Sequence, residues 1–258
     1  MNASSLLIKT ALLGGLLASL VSATPAIAQV GMSPLFLEAE ASRGRAQGVV
    51  TLINTSDEPI RVRVYSEPFT YTQDGFVSLR EDSEDLSPYL QFSPREAVIE
   101  PRSEQRIRLL GLFPPNLADG EYRAAIFAEQ LADRSEMPVG AAIDARIGTT
   151  VYMRQGNLSA DIAGVSAVYD GQTFELMTEN RGQATTLAQL SWDLMQGGSN
   201  VASGEEVIRT VLADGRRKFP LSLPNTLAQG NYVLTGKLSW ATLGEIYSHS
   251  FELPVTVP

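Results

Sequence analysis

One segment of this chain occurs twice. Pro115-Asn-Leu-Ala-Asp-Gly-Glu-Tyr122 returns as Pro224-Asn-Thr-Leu-Ala-Gln-Gly-Asn-Tyr232, with the two tyrosines 110 residues apart. In both copies the tyrosine stands two residues after a glycine turn and opens an alternating run. Tyr122, Ala124, Ile126 and Ala128 share one side in the first copy; Tyr232, Leu234, Gly236, Leu238 and Trp240 do so in the second. A period of two is the signature of a strand, and the repeat distance fits one sandwich domain of about 100 residues. A tyrosine so placed suits a tyrosine corner, with its ring in the core and its hydroxyl on a nearby backbone group. A fainter echo joins Val49-Val-Thr-Leu-Ile-Asn54 to Phe174-Glu-Leu-Met-Thr-Glu-Asn180, since both runs end in asparagine before a polar turn.

The rest of the chain follows the same grammar. Short alternating runs are separated by Gly, Pro, Asn and Asp, and no 3.6-residue period persists. In Pro59-Ile-Arg-Val-Arg-Val-Tyr65, Ile60, Val62 and Val64 are expected to face a core, with Arg61 and Arg63 outside. The first half predicts strands near 33–39, 48–54, 59–67, 70–79, 96–99, 104–110, 121–130 and 140–153. The second predicts them near 158–169, 172–180, 185–195, 206–212, 217–223, 231–240 and 245–256. Short helical stretches around 84–90 and 131–134 are assigned to loops. The expected fold is all-β: two immunoglobulin-like sandwiches in tandem, over 29–155 and 156–258, hinged at Gln155-Gly-Asn157.

Residues 1–28 are expected to be a signal peptide. Lys9 precedes the apolar stretch from Ala11 to Val21, which is short for a bilayer span, and Ala26-Ile-Ala28 supplies the small residues that place a cut before Gln29. No cysteine follows to carry a lipid, so a Gram-negative periplasm is the expected address.

Composition removes several classes of function. Twenty Lys and Arg against 29 Asp and Glu give a net charge of -9, which argues against nucleic acid as a partner. With 44% apolar and 19% charged residues the chain has the composition of a folded protein. The absence of cysteine excludes disulfides, zinc-thiolate sites and thiol nucleophiles. The single histidine, His249, alternates with Tyr247 and Phe251 on a late strand, as a packed or edge imidazole would. No P-loop, G-x-S-x-G or paired-histidine motif is present. Glu81-Asp-Ser-Glu-Asp85 lacks the glycine turn and spaced ligands of a calcium loop and reads as a solvated acidic loop. No enzyme, cofactor, metal or small-molecule substrate is expected. Residues 29–154 contain arginine but no lysine, a choice that favours fixed ion pairs on a sheet.

In the first half, Ser33-Pro34, Val50-Thr-Leu-Ile-Asn54, Phe92-Ser-Pro-Arg95, Ile99-Glu-Pro-Arg-Ser-Glu-Gln-Arg-Ile-Arg108, Leu117-Ala-Asp-Gly-Glu-Tyr-Arg123 and Val151-Tyr-Met-Arg154 stand in one order over about 120 residues. This half resembles the N-terminal domain of the PapD-like periplasmic pilus-assembly chaperones, whose second domain would correspond to residues 156–258. The resemblance implies a protein that holds an exported, pilin-like subunit by lending it an edge strand, with an outer-membrane usher as a further candidate partner. It also implies an arginine on the first strand and a lysine on the last strand of the first domain, anchoring the subunit's terminal carboxylate. Here the matching positions are Phe36 and Thr150. Either the correspondence shifts by a residue or two, so that Arg146 or Arg154 serves as anchor, or subunits are not bound in the usual way.

The last strand of the first half is therefore the expected partner site. Ile143, Ala145 and Ile147 head an odd-numbered apolar face that continues through Thr149, Val151 and Met153. That face could meet a partner's strand or fill the domain's own core. The competing reading of the whole chain is a structural or adhesive envelope protein in which both sandwiches are spacers.

Overall fold

A computed structural model of the protein describes residues 30–131, 146–169, 171, 173–223, 226–242 and 244–258. The segment 1–28 expected to be a signal peptide, Ile143 and Ala145 lie outside the described residues. The first half contains β1 (Val30–Ser33), β2 (Phe36–Glu40), β3 (Arg45–Asn54), β4 (Ile60–Glu67), β5 (Phe69–Tyr71), β6 (Phe76–Ser78), β7 (Leu90–Ser93), β8 (Glu96–Ile99), β9 (Glu104–Leu112), β10 (Gly120–Gln130) and β11 (Arg146–Gln155). The second contains β12 (Ile162–Tyr169), β13 (Phe174–Asn180), β14 (Thr186–Gln196), β15 (Ser199–Val211), β16 (Arg216–Leu221), β17 (Gly230–Thr242) and β18 (Glu245–Val257).

Each half packs two sheets face to face. The orders are β1-β3-β9-β7 against β2-β11-β10-β4-β8, then β12-β13-β16 against β15-β14-β17-β18. Among the described residues no sheet mixes strands of the two halves. The cores follow from the alternation: Val50, Leu52, Val62, Ile107, Ala124, Ile126 and Val151 are buried in the first, and Ile162, Leu176, Leu190, Leu194, Phe219, Leu234 and Leu238 in the second. Residues 87–89 form a single 3-10 turn.

Three departures from the sequence expectation have local causes. The strand expected over 33–39 is two, because at Pro34 and Leu35 the chain leaves one sheet for the other: β1 pairs with β3, and β2 runs parallel to β11. The strand expected over 70–79 is a hairpin. Thr72 donates its N–H to Gly75 O at 2.9 Å, closing a turn through Asp74-Gly75. The strand expected over 206–212 begins at Ser199, because Gly197 and Gly198 take φ of 56° and 83° and make the two-residue turn that lets β14 and β15 pair along their length.

The duplicated segment does the same work twice. The Tyr122 hydroxyl donates to Ala118 O at 3.0 Å and the Tyr232 hydroxyl to Ala228 O at 2.8 Å, and both rings belong to their sandwich cores. The asparagine echo is equally close. Asn54 accepts from Ser56 N and donates to Glu58 O, two and four residues on; Asn180 accepts from Gly182 N and donates to Ala184 O at the same offsets. Each carboxamide also reaches a distant carbonyl, Ile99 O or Val211 O, tying a turn to the neighbouring sheet.

Candidate functional site

The outer face of the sheet β2-β11-β10-β4-β8 turns away from its core, toward the second half. Even-numbered residues of β11 and odd-numbered residues of β10 stand on it, in rows set by the antiparallel register. One row is Arg63, Glu129 and Arg146; the next Tyr65, Phe127 and Gly148; the next Glu67, Ala125, Thr150 and Phe36. Below them lie Arg123 beside Tyr152, then Glu121 beside Arg154.

The lowest row is a buried electrostatic latch between the halves. Arg154, 1% exposed, donates from Nε to Glu121 at 2.8 Å and from Nη2 to Thr185 O at 2.5 Å, and lies 3.0 Å from Glu38. Glu121 in turn accepts the Thr185 backbone N–H at 2.8 Å and the Thr185 hydroxyl. Buried charges need this degree of pairing to be tolerated, and here the pairing joins β10 and β11 to the start of β14. Arg123 is held as firmly: Asp82 at 2.8 Å, Glu84 and Phe69 O all accept from it. The acidic segment 81–85 is thus no solvated loop throughout, because two of its carboxylates clamp an arginine beneath the aromatic rows.

Above the latch the face is aromatic. Phe69, Ala125, Phe127, Tyr152 and Leu212 form a third buried cluster, and Leu212 comes from the second half. The ring of Phe36 packs on Tyr152 at 4.8 Å, and Phe69 stacks on Phe76 at 5.3 Å. Burial pushes the Tyr152 hydroxyl well above the ordinary phenol range. The ring of Phe127 lies across Gly148, where a Cβ would come within 2.6 Å of it. Phe127, Gly148, Leu35, Tyr71 and Phe76 border an open groove of about 310 Å³.

One strand edge is open beside this groove. β2 covers β11 only from Thr150 to Arg154; among the described residues nothing pairs with Arg146–Thr149 on that side. Thr150 N donates toward β2, to Leu35 O at 3.1 Å. By the two-residue period Gly148 and Arg146 point their backbone groups to the same, uncovered side.

The structure separates the residues expected at the partner site. Ile147 is half-buried and packs against the first core, followed inward by Thr149, Val151 and Met153. The odd-numbered face of β11 is therefore core, and what a partner can reach is the backbone edge and the even-numbered face. Arg154 is consumed by the latch. Arg146 is available: its side chain is 47% exposed, its guanidinium lies 4.5 Å over the Phe127 ring, and its polar contacts are long, 3.4 Å to the Tyr65 hydroxyl and 3.5 Å to Glu67. Those contacts, with Tyr65 first, raise its pKa above the ordinary arginine value. Phe36 and Thr150, the positions where the resemblance led one to expect basic anchors, are direct neighbours in the register, and neither is charged. The aromatic cluster was not singled out from sequence, although Tyr65, Phe69, Tyr71 and Phe76 crowd one short stretch. His249 sits apart, with Nδ1 3.1 Å from Ile162 O and 3.4 Å from Asp161.

No protein-family model matches the chain, and no curated protein does. Solved structures do. The YadV chaperone matches over 88% of this chain and 100% of its own, with a TM-score of 0.53 at 12% identity. The class 5 fimbriae chaperone CfaA matches over 89% and 99%, at 0.51 and 9%. A chain of the CsuC–CsuE chaperone–tip adhesion subunit pre-assembly complex, from archaic chaperone-usher pili of Acinetobacter baumannii, matches over 90% and 100%, at 0.51 and 17%. The chain has the two-sandwich, PapD-like fold of the fimbrial chaperones.

Proposed function

We propose that this protein is a non-enzymatic chaperone of a pilus-type assembly system, holding an exported subunit through β-strand addition at β11. The observation that carries the reading is the uncovered edge of Arg146–Thr149, lying beside an open apolar groove on the face turned toward the second sandwich. A strand added there would take backbone hydrogen bonds from β11 and place alternate side chains over the aromatic rows. That a solved chaperone–tip adhesion subunit complex shares this fold supports the choice of partner class. Arg146 is the proposed anchor for a terminal carboxylate, because it is the exposed arginine of this face next to the free edge; Ile143, Ala145 and Ile147 are kept as proposed partner-strand residues, of which Ile147 would brace the strand from its core side. A periplasmic location after removal of residues 1–28, hand-over to an outer-membrane usher, and a domain boundary at Gln155–Asn157 belong to the same reading.

Affinity capture from periplasmic extract, with the captured proteins identified by mass spectrometry, tests it. A pilin-like subunit should be held by the wild type and lost with Arg146→Glu or Gly148→Val, both folded by circular dichroism. Equal recovery of the same subunit by both folded variants would place its binding elsewhere.

A further inference from the structure

The groove beside β11 has a wall that the first sandwich does not hold by itself. Tyr71 and Phe76 belong to the β5–β6 hairpin, which pairs with no other strand of the described residues. Its turn rests on β16 of the second sandwich. Arg217, 8% exposed, donates from Nη1 to Thr72 O at 2.7 Å, and its guanidinium lies 5.1 Å from the Tyr71 ring. The next residue, Lys218, donates its backbone N–H to Gln73 O at 3.1 Å and its ammonium to Asp74 at 2.9 Å. Phe76 then stacks on Phe69 and meets Phe127 edge-on at 6.2 Å, closing the groove over the cleft face.

Three properties decide what the groove accepts. Its walls are mostly aromatic and aliphatic, with Thr149 and Thr150 along the β11 side, and Leu35 at its mouth is 62% exposed. It adjoins the free backbone edge at Gly148, so an extended segment paired there has a side chain in reach of it. At its end the Arg146 guanidinium covers Phe127, with Glu67 the carboxylate facing it at 3.5 Å and Glu129 occupied by Arg63 at 2.5 Å. A terminal residue with a large apolar side chain and a free carboxylate matches this pair of features.

We infer that the groove is a specificity pocket for an apolar, preferably aromatic, C-terminal side chain of the bound segment, and that Arg217 of the second sandwich is the positioning residue that sets the pocket's far wall. This rests on the strand-addition reading above and names what that site selects. The second sandwich then takes part in recognition without touching the bound segment.

The test uses the mature full-length chain and two fluorescently labelled synthetic peptides of alternating Thr and Val, one ending in Phe and one in Gly, both with free carboxylates. Fluorescence anisotropy should give the Phe peptide an advantage of about tenfold, the order expected for burying one aromatic side chain. In Arg217→Met the advantage should fall to about twofold or less, with the Gly peptide bound as before and amide exchange over 69–78 accelerated. If Arg217→Met does not fold, Arg217→Lys and Asp74→Ala supply the same comparison and should each reduce the advantage. Equal wild-type affinity for the two peptides overturns the pocket. An undiminished advantage in folded Arg217 variants overturns the positioning role while leaving the pocket. Binding of neither peptide overturns the strand-addition reading and this inference with it.

Discussion

Tyr122 and Tyr232 do two jobs with one side chain. Each ring fills a core position of its sandwich, and each hydroxyl donates to the carbonyl four residues earlier, pinning the turn that precedes the strand. The two contributions are separable. Tyr122→Phe and Tyr232→Phe should each lower the unfolding free energy by about 1 kcal/mol, the net worth of a hydrogen bond. The alanine replacements should cost about 3–5 kcal/mol, the range for an excavated aromatic. Urea unfolding of the four variants measures both, and losses below about 1 kcal/mol for both alanine variants would make the sequence repeat accidental. Asn54 and Asn180 invite the same comparison, since Asn→Ala at either site strands several backbone groups at once; a loss of about 2 kcal/mol or more is expected at each.

At the scale of the element, β11 is the informative strand. Its odd side is locked into a core, its even side carries the cleft, and its first residues have a backbone edge with no neighbour on the β2 side among the described residues. An exposed edge of this kind invites pairing with an added strand. Gly148→Val should leave the sandwich folded but drive Phe127 out over the groove, because the new Cβ would sit within 2.6 Å of the ring; thermal melting should shift little while peptide or subunit binding falls at least severalfold. Alternation along Ile60–Val64 and Tyr122–Ala128 was legible in the sequence because one face of each strand meets the core. The β5–β6 hairpin was not, since its aromatics continue the apolar run on both sides of Asp74-Gly75 and imitate one strand. The even face of β11 was illegible for another reason: the partners that consume Arg154 come from Glu121, Glu38 and Thr185, and no spacing within a strand announces a contact between sandwiches.

At the scale of the molecule, two polar contacts, besides the apolar one at Leu212, span the halves among the described residues. Glu121, Arg154 and Thr185 form one; the hairpin on Arg217 and Lys218 forms the other. Breaking a buried pair by removing one partner strands a charge, so Glu121→Gln or Arg154→Met should each destabilise the chain by about 3–5 kcal/mol. The same variants should make Gln155–Asn157 the first site of limited proteolysis, whereas a single continuous sandwich would show no preferred nick there. The central claim, that an exported subunit adds a strand at β11, is reached most directly through a chain that has no native thiol. A photo-crosslinker attached at Leu35→Cys, beside the groove, should join the protein in the periplasm to the terminal strand of a pilin-like subunit, identified by mass spectrometry, while the same label at Ile246→Cys, on the 82% exposed tip of β18, should not. No subunit adduct from position 35, or the same adduct at equal yield from position 246, would contradict the account.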